Sequence, residues 1–276
     1  MEKFQLSLLF KIVGIGSASG LLYHNNLLYI ISDDSNYLYE YNIEAEKLNK
    51  IALTDNAQEN IAKKDKPDFE AITYDKDKIV LLGSGSTKKR NLSFLYDCET
   101  DTVIQNDITD LYKKIKHQLN FTDDELNIEG FIINKRNVFL FQRGNGTENK
   151  NGIITVFNSR MQSEIGFTIF DLPKIKNVPA TFTDAILVDD TVYFLAAAED
   201  SASTYLDGEV MGSIIGAIDL KTMKLTSSVQ ISDKHKFEGL TLYNKTATQI
   251  EFLLCEDTDS EIQESNIYKL VLNKSQ

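Results

Sequence analysis

Five segments of this chain follow one plan. They are Ser19-Gly20-Leu21-Leu22-Tyr23, Phe69-Glu70-Ala71-Ile72-Thr73, Ile128-Glu129-Gly130-Phe131-Ile132, Phe182-Thr183-Asp184-Ala185-Ile186 and Phe237-Glu238-Gly239-Leu240-Thr241. In each, an oxygen-bearing residue precedes a small one, Gly or Ala, and then an apolar run. The anchors Ser19, Glu70, Glu129, Asp184 and Glu238 stand 51, 59, 55 and 54 residues apart, so five units account for the 276 residues. A unit that recurs at such a period cannot bury its apolar face alone and must stack on its neighbours.

Each unit reads as short β-strands punctuated by turn residues. In the second, Phe69 to Tyr74, Lys78 to Leu82, Leu92 to Cys98 and Thr102 to Gln105 are strand-like, and Asp75 and Asp77 mark the first turn. Four strands per unit make a propeller blade. The fifth unit offers three strands, Phe237 to Tyr243, Ile250 to Cys255 and Ile267 to Leu272. The run Phe4 to Ile12 supplies the fourth, which closes the ring and removes a sheet edge open to pairing. Asp107 to Leu119 carries apolar residues at helical spacing and predicts one short helix between blades two and three. The expected fold is therefore all-β, a five-bladed β-propeller spanning residues 1–276 as one domain.

Composition agrees with a single closed unit. Hydrophobic residues make up 42%, and the three prolines, Pro67, Pro173 and Pro179, do not mark a linker. The formal net charge of −12 excludes a nucleic-acid duplex as partner, because phosphate binding needs clustered Lys and Arg. The stretch Leu6 to Phe10 is cut by Lys11, and no segment approaches the roughly 20 apolar residues of a membrane span. Cys98 and Cys255 are read as reduced thiols and the location as cytoplasmic, with a monomer as the expected state.

The repeat also predicts where chemistry collects. An innermost strand starts at its anchor and the next strand returns antiparallel, so the second strand ends on the face where the first began. Those exits are Asp33, Ser84, Arg143, Glu199 and Glu256, which lie 14, 14, 14, 15 and 18 residues after their anchors. The loops there hold Ser86, Lys88, Arg90, Asn145 and Asp200 as well. Turns explain Gly, Asn, Asp and Ser, but not Lys88, Arg90 and Arg143 beside acidic groups.

Carboxylates converging on an axis repel one another, and a hard divalent cation relieves that repulsion. Ser19, Glu70, Glu129, Asp184 and Glu238 form an all-oxygen set, which suits Ca²⁺ or alternatively Mg²⁺ rather than Zn²⁺. The competing role for the glutamates is to accept hydrogen bonds from backbone N–H groups along the channel. Of the three histidines, His24 and His117 are ordinary turn or surface residues, while His235 is a weak general-base candidate near Glu238. The loop from Gly83 to Arg90 resembles a phosphate cradle without the Walker A spacing.

The pattern is similar to the calcium-activated nucleotidases (apyrases), five-bladed propellers with one axial calcium. That resemblance implies that Glu70, Glu129 and Glu238 are axial glutamates and Ser19 an axial serine, with Asp184 or Thr183 at the other serine. It also places Gln142-Arg143 at an arginine-bearing strand end and Glu199-Asp200 near an acidic loop. The segments Ser-Ala-Ser-Gly, Asn-Ile-Glu-Gly, Gln-Arg-Gly-Asn and Ala-Ala-Glu-Asp further resemble an uncharacterised bacterial propeller family. The chain has no Trp, so base stacking would fall to Tyr or Phe.

The leading functional expectation is a metal-dependent phosphohydrolase acting on a small anionic ligand, a nucleotide or another phosphoester. In it Asp33, Arg143 and Glu199 are catalytic, and Ser84, Ser86, Lys88, Arg90, Asn145, Asp200 and Glu256 bind substrate. Two alternatives are a glycoside-active enzyme using a pair among Asp33, Glu199 and Glu256, and a non-catalytic binding propeller with a structural ion.

Overall fold

A computed structural model of the chain describes residues 4–146, 148–158, 163–200, 208–257 and 263–274. Its strands form five antiparallel sheets in chain order around a central axis, a five-bladed β-propeller. Blade two, for example, consists of Phe69–Asp75, Lys78–Gly83, Leu92–Asp97 and Thr102–Asp107, within two residues of the strands expected from sequence. The fifth blade is completed by Phe4–Val13, which pairs antiparallel with Glu264–Asn273. That pairing joins the first and last described strands and leaves no sheet open at the point of closure.

Side chains alternate across each strand, so every blade presents one apolar face to the blade before it and another to the blade after it. The core accordingly divides into five clusters, one at each junction of neighbouring blades. The junction of blades three and four centres on Phe182. Its ring meets Phe141, Phe170 and Phe194 edge to face at centroid distances of 5.3, 5.8 and 5.0 Å. Such T-shaped contacts let each ring's positive edge meet its neighbour's negative face.

The helix Thr109–Leu119 sits between blades two and three, as its apolar spacing predicts. Asp107 Oδ1, one residue ahead of the Ile108 cap, accepts the N–H of Thr109, the first helical residue, at 2.8 Å. Asn120 ends it in the left-handed conformation, φ 52°. Tyr112 and Ile115 bury their side chains in the junction, and the Tyr112 hydroxyl donates to the Gly83 carbonyl at 2.8 Å.

One element has no signal in the repeat. A two-residue strand, Lys174–Ile175, folds back on the start of Val178–Val188 and gives blade four a fifth strand. Its turn holds Lys176 and Asn177, both at positive φ, 49° and 72°. This is the backbone of a tight two-residue hairpin.

Both cysteines are free thiols, Cys98 exposed and Cys255 buried. No helix among the described residues is long and apolar enough to cross a membrane.

Candidate functional site: the channel mouth

The anchor residues share a backbone irregularity. In each innermost strand the pairing register slips by one residue at the anchor: Ser19, Glu70, Glu129, Thr183 and Glu238 are all left without a partner on the second strand. These are β-bulges, which bend the strand and re-aim one side chain. Gly follows the bulge in blades one, three and five, Ala in blade two and Asp184 in blade four, and at two of the glycines the cause is steric. A Cβ at Gly130 would come 3.0 Å from the Ala185 N and from Asp184 Oδ1, and one at Gly239 would come 2.9 Å from the Leu21 N. The next blade's innermost strand packs that closely.

The bulge corrects one member of the expected ring. In blade four the anchor is Thr183, and Asp184 faces away from the others. Its two oxygens accept backbone N–H groups of Ala185 and of Leu240 in blade five, each at 2.7 Å. Burial pushes the Asp184 carboxyl well above the usual carboxylate range, opposed by those two donors. Asp184 thus stitches two blades together, a structural role of the kind weighed from sequence for the glutamates. Asp184→Asn removes one acceptor and turns an amide donor toward a backbone N–H. A loss of about 2 kcal/mol is expected, read as a lower urea midpoint with unchanged slope.

The hydroxyl anchors are also spent between blades. Ser19 Oγ donates to the Phe69 carbonyl at 2.5 Å and Thr183 Oγ1 to the Phe237 carbonyl at 2.7 Å. Neither lines the mouth cavity, so the ring that reaches the cavity is Glu70, Glu129 and Glu238.

Strand exits do return beside strand starts. Backbone N–H groups of Asp33, Ser84, Arg143 and Asp257 donate to the carbonyls of Ser17, Asp68, Asn127 and Lys236 at 3.4, 3.0, 2.9 and 3.2 Å. The fifth exit is therefore Asp257 and not Glu256. Glu256 is buried and accepts the Tyr268 hydroxyl at 2.8 Å, Asn266 Nδ2 at 2.6 Å and His235 Nδ1. His235 is held there and does not line the mouth cavity.

These bonds expose a second polar ring that the sequence reading passed over. The residue two places before each anchor is Ser17, Asp68, Asn127, Thr181 or Lys236, and four of these five line the mouth. The constant offset of two was available in the repeat. It was hidden because the five residue types differ in charge.

The mouth encloses a cavity of about 490 Å³. On the side of blades one and two, Asp33, Asp68 and Glu70 each offer an oxygen within 4.8 Å of the others. Asp68 is fixed from three directions: it accepts Ser84 Oγ at 2.5 Å, Arg90 Nη1 at 2.7 Å and Lys66 Nζ at 3.0 Å. Lys66 also pairs with Asp33. On the side of blade three, Glu129 accepts Asn127 Nδ2 at 2.7 Å and Arg143 Nη1 at 3.3 Å. The other Arg143 nitrogen, Nη2, reaches Glu199 at 2.7 Å. In blade five, Lys236 Nζ lies 2.8 Å from Glu238, 3.6 Å from Glu199 and 3.8 Å from Asp257.

The electrostatics follow from this crowding. Burial raises Glu70 well above the ordinary range, and Asp68, Glu129 and Glu238 add to the rise. Glu129 is pushed up to about 7 by burial, although Arg143 pulls it down, and Glu238 is raised mainly by burial against the pull of Lys236. Burial lifts Asp33 to about 7 despite Lys66. Burial works against the Lys66 and Lys236 ammonium charges, but the carboxylates beside them outweigh it and hold both above the usual lysine value.

The remaining expected residues divide. Ser86 and Arg90 line the cavity, Asn145 lines it near blade three, and Ser84 lies beneath it as a support for Asp68. Lys88 is exposed in a short 3-10 turn and does not reach the cavity. Glu199 and Asp200 line an adjoining cleft. Of the three carboxylates named for a glycoside-active enzyme, Asp33 lines the axial cavity, Glu199 the adjoining cleft and Glu256 neither.

A family model described as "Family of unknown function (DUF6929)" matches residues 14–272. The sequence match thus falls there and not to the calcium-activated nucleotidases. No curated protein matches the chain by sequence. Several solved structures share its fold. Glutaminyl cyclase of Myxococcus xanthus superposes with a TM-score of 0.53 at 8% identity, covering 97% of both chains. The major allergen Mala s 1 of Malassezia sympodialis gives 0.52 at 8% identity over 96% of both. A luciferin-regenerating enzyme gives 0.51 at 9% identity over 99% of this chain and 98% of its own. At these identities the likeness is one of fold, and the chemistry must be argued from the mouth itself.

Proposed function

The chain belongs to the DUF6929 family of unknown function, and from that premise we propose that its channel mouth binds a small phosphoester beside a hard divalent cation, Ca²⁺ or Mg²⁺, and hydrolyses it. One observation carries this reading. A single cavity brings the Asp33, Asp68 and Glu70 oxygens within 4.8 Å of one another and also presents Arg143 and Lys236.

The donor set fits the ion. Three carboxylates supply oxygen alone, the chemistry of Ca²⁺ and Mg²⁺ sites. Lys66 shares two of the three, and its flexible stem lets the ammonium withdraw when another cation competes. This set differs from the symmetric axial ring expected from sequence, because Arg143 and Lys236 already neutralise Glu129 and Glu238. When bound, the ion would polarise a phosphoryl oxygen and acidify water.

The protein's own groups would do the rest. Arg143 and Lys236 are cations held by carboxylates on a buried wall, so they can meet phosphate oxygens without first being ordered. Arg90 is fixed by Asp68 and Ser86 at 2.7 Å each and orients from the second blade. Glu129, with its carboxyl near neutrality, can take a proton from an attacking water or return one to the leaving oxygen.

The test is phosphate release from a panel of nucleotides and sugar phosphates, with and without chelator. Turnover is expected to need Ca²⁺ or Mg²⁺. Asp68→Asn should raise the cation concentration at half-maximal rate at least about tenfold. Absence of turnover with every phosphoester and both cations, even where the cation raises the melting temperature, would leave a binding propeller in place of an enzyme.

A further inference from the structure

Beside the axial cavity lies a second cleft of about 630 Å³, within the size range of small-molecule sites. The two spaces share Arg143, Asn145 and Lys236 in their walls. A ligand whose anionic end meets those cations therefore borders both spaces, and the rest of it can occupy this cleft. The extra hairpin of blade four walls the cleft with Lys174, Asn177, Val178 and Pro179. No other blade carries this element among the described residues.

The lining limits what can fill it. Asp171, Asn177 and Asp200 are exposed, and their side chains form no hydrogen bond or ion pair with other described residues. An acyl chain would strand these groups from water, at a cost for each. A nucleobase needs an open ring to stack on. The only aromatic in the wall among the described residues is Phe170, which is 8% exposed and packed on Phe182. Hydroxyl groups suit the lining better, since they donate to carboxylates and both donate to and accept from an amide. The apolar faces of Val178 and Pro179 match the C–H face of a sugar ring.

We propose that the substrate is a sugar phosphate, with its phosphate in the axial cavity and its hydroxyl-rich ring in the blade-four cleft, where the hairpin selects it. This rests on the phosphoester reading above and narrows its substrate class. It also narrows the nucleotide or other phosphoester expected from sequence to a polyhydroxylated ligand.

Equilibrium binding tests it without requiring turnover. Calorimetric titrations with inorganic phosphate, glucose 6-phosphate and adenosine 5′-monophosphate are made in millimolar Ca²⁺ on the full chain. Glucose 6-phosphate is expected to bind at least about tenfold tighter than inorganic phosphate, the worth of two or three added hydrogen bonds. The double variant Asp171→Ala/Asn177→Gly should erase that difference. Both positions are exposed, and glycine accepts the positive φ of Asn177. Equal affinity for phosphate and glucose 6-phosphate, tighter binding of the nucleotide, or a difference that survives in the double variant overturns the sugar assignment alone. Binding of none of the three overturns it together with the phosphoester reading.

Discussion

Arg143→Ala should lower phosphoester turnover by about 10²–10³-fold, the cost of removing one fixed donor from a charge-stabilising site. It should also cost about 3 kcal/mol of stability. Both effects come from one position. The guanidinium is 13% exposed and bridges Glu129 in blade three to Glu199 in blade four. Truncation leaves two buried carboxylates facing each other's side of the channel without their shared counter-charge. Their protonation would follow, and the phosphate would lose its nearest fork of donors. Arg143→Lys separates the two effects. A lysine restores a charge but not two parallel donors, so stability should return further than turnover. The comparison needs kcat, KM and a urea curve for each variant. Turnover unchanged in Arg143→Ala would remove this residue from the site.

The second large effect is on stability against pH. Glu129 has a folded pKa near 7 against 4.5 for the free group. Glu70 and Glu238 are displaced in the same direction, chiefly by burial. A raised folded pKa means that the fold favours the protonated group. The stabilisation is complete below pH 4.5 and is lost as pH rises through about 7. Glu129 alone contributes about 3 kcal/mol to this change. In chelator, the melting temperature should therefore fall by several degrees between pH 5 and pH 8. Millimolar Ca²⁺ should recover more of it at pH 8, where the carboxylates are ionised and can bind the ion. A melting temperature that rises across this window in chelator would contradict the assignment. A calcium increment equal at both ends would detach the ion from the carboxylates.

The five blades were legible because apolar runs alternating with turns recur at a fixed interval, and a repeat amplifies a weak local pattern. The strand Phe4–Val13 was placed correctly in the last blade by counting strands. The mouth was legible to the extent that backbone return dictates it: Asp33, Arg143, Glu70, Glu129 and Glu238 do meet there. What the sequence concealed has two causes. Insertions shift the count, so Asp257 rather than Glu256 is the fifth exit, and a bulge at Thr183 moves the anchor by one and turns Asp184 into a link between blades. The second cause is compensation. From the carboxylates alone a metal was favoured over a purely structural role at the axis, yet Lys236 lies only two residues before Glu238 and answers its charge directly. A side chain's partner three-dimensionally beside it cannot be weighed until the register is known.

The closure of the ring by its first strand has a kinetic consequence. Phe4–Val13 leaves the ribosome long before Glu264–Asn273, the strand it pairs with. At about 5–20 residues per second it waits roughly ten seconds to a minute for its partner. Through that interval Leu8, Leu9 and Val13, which stay exposed even in the finished ring, belong to an unpaired strand. The nascent chain is therefore most open to mispairing with a second copy at this strand until Glu264–Asn273 has emerged. The channel mouth draws on blades one, two, three and five, so its lining is complete only after Lys236, Glu238 and Asp257 have emerged.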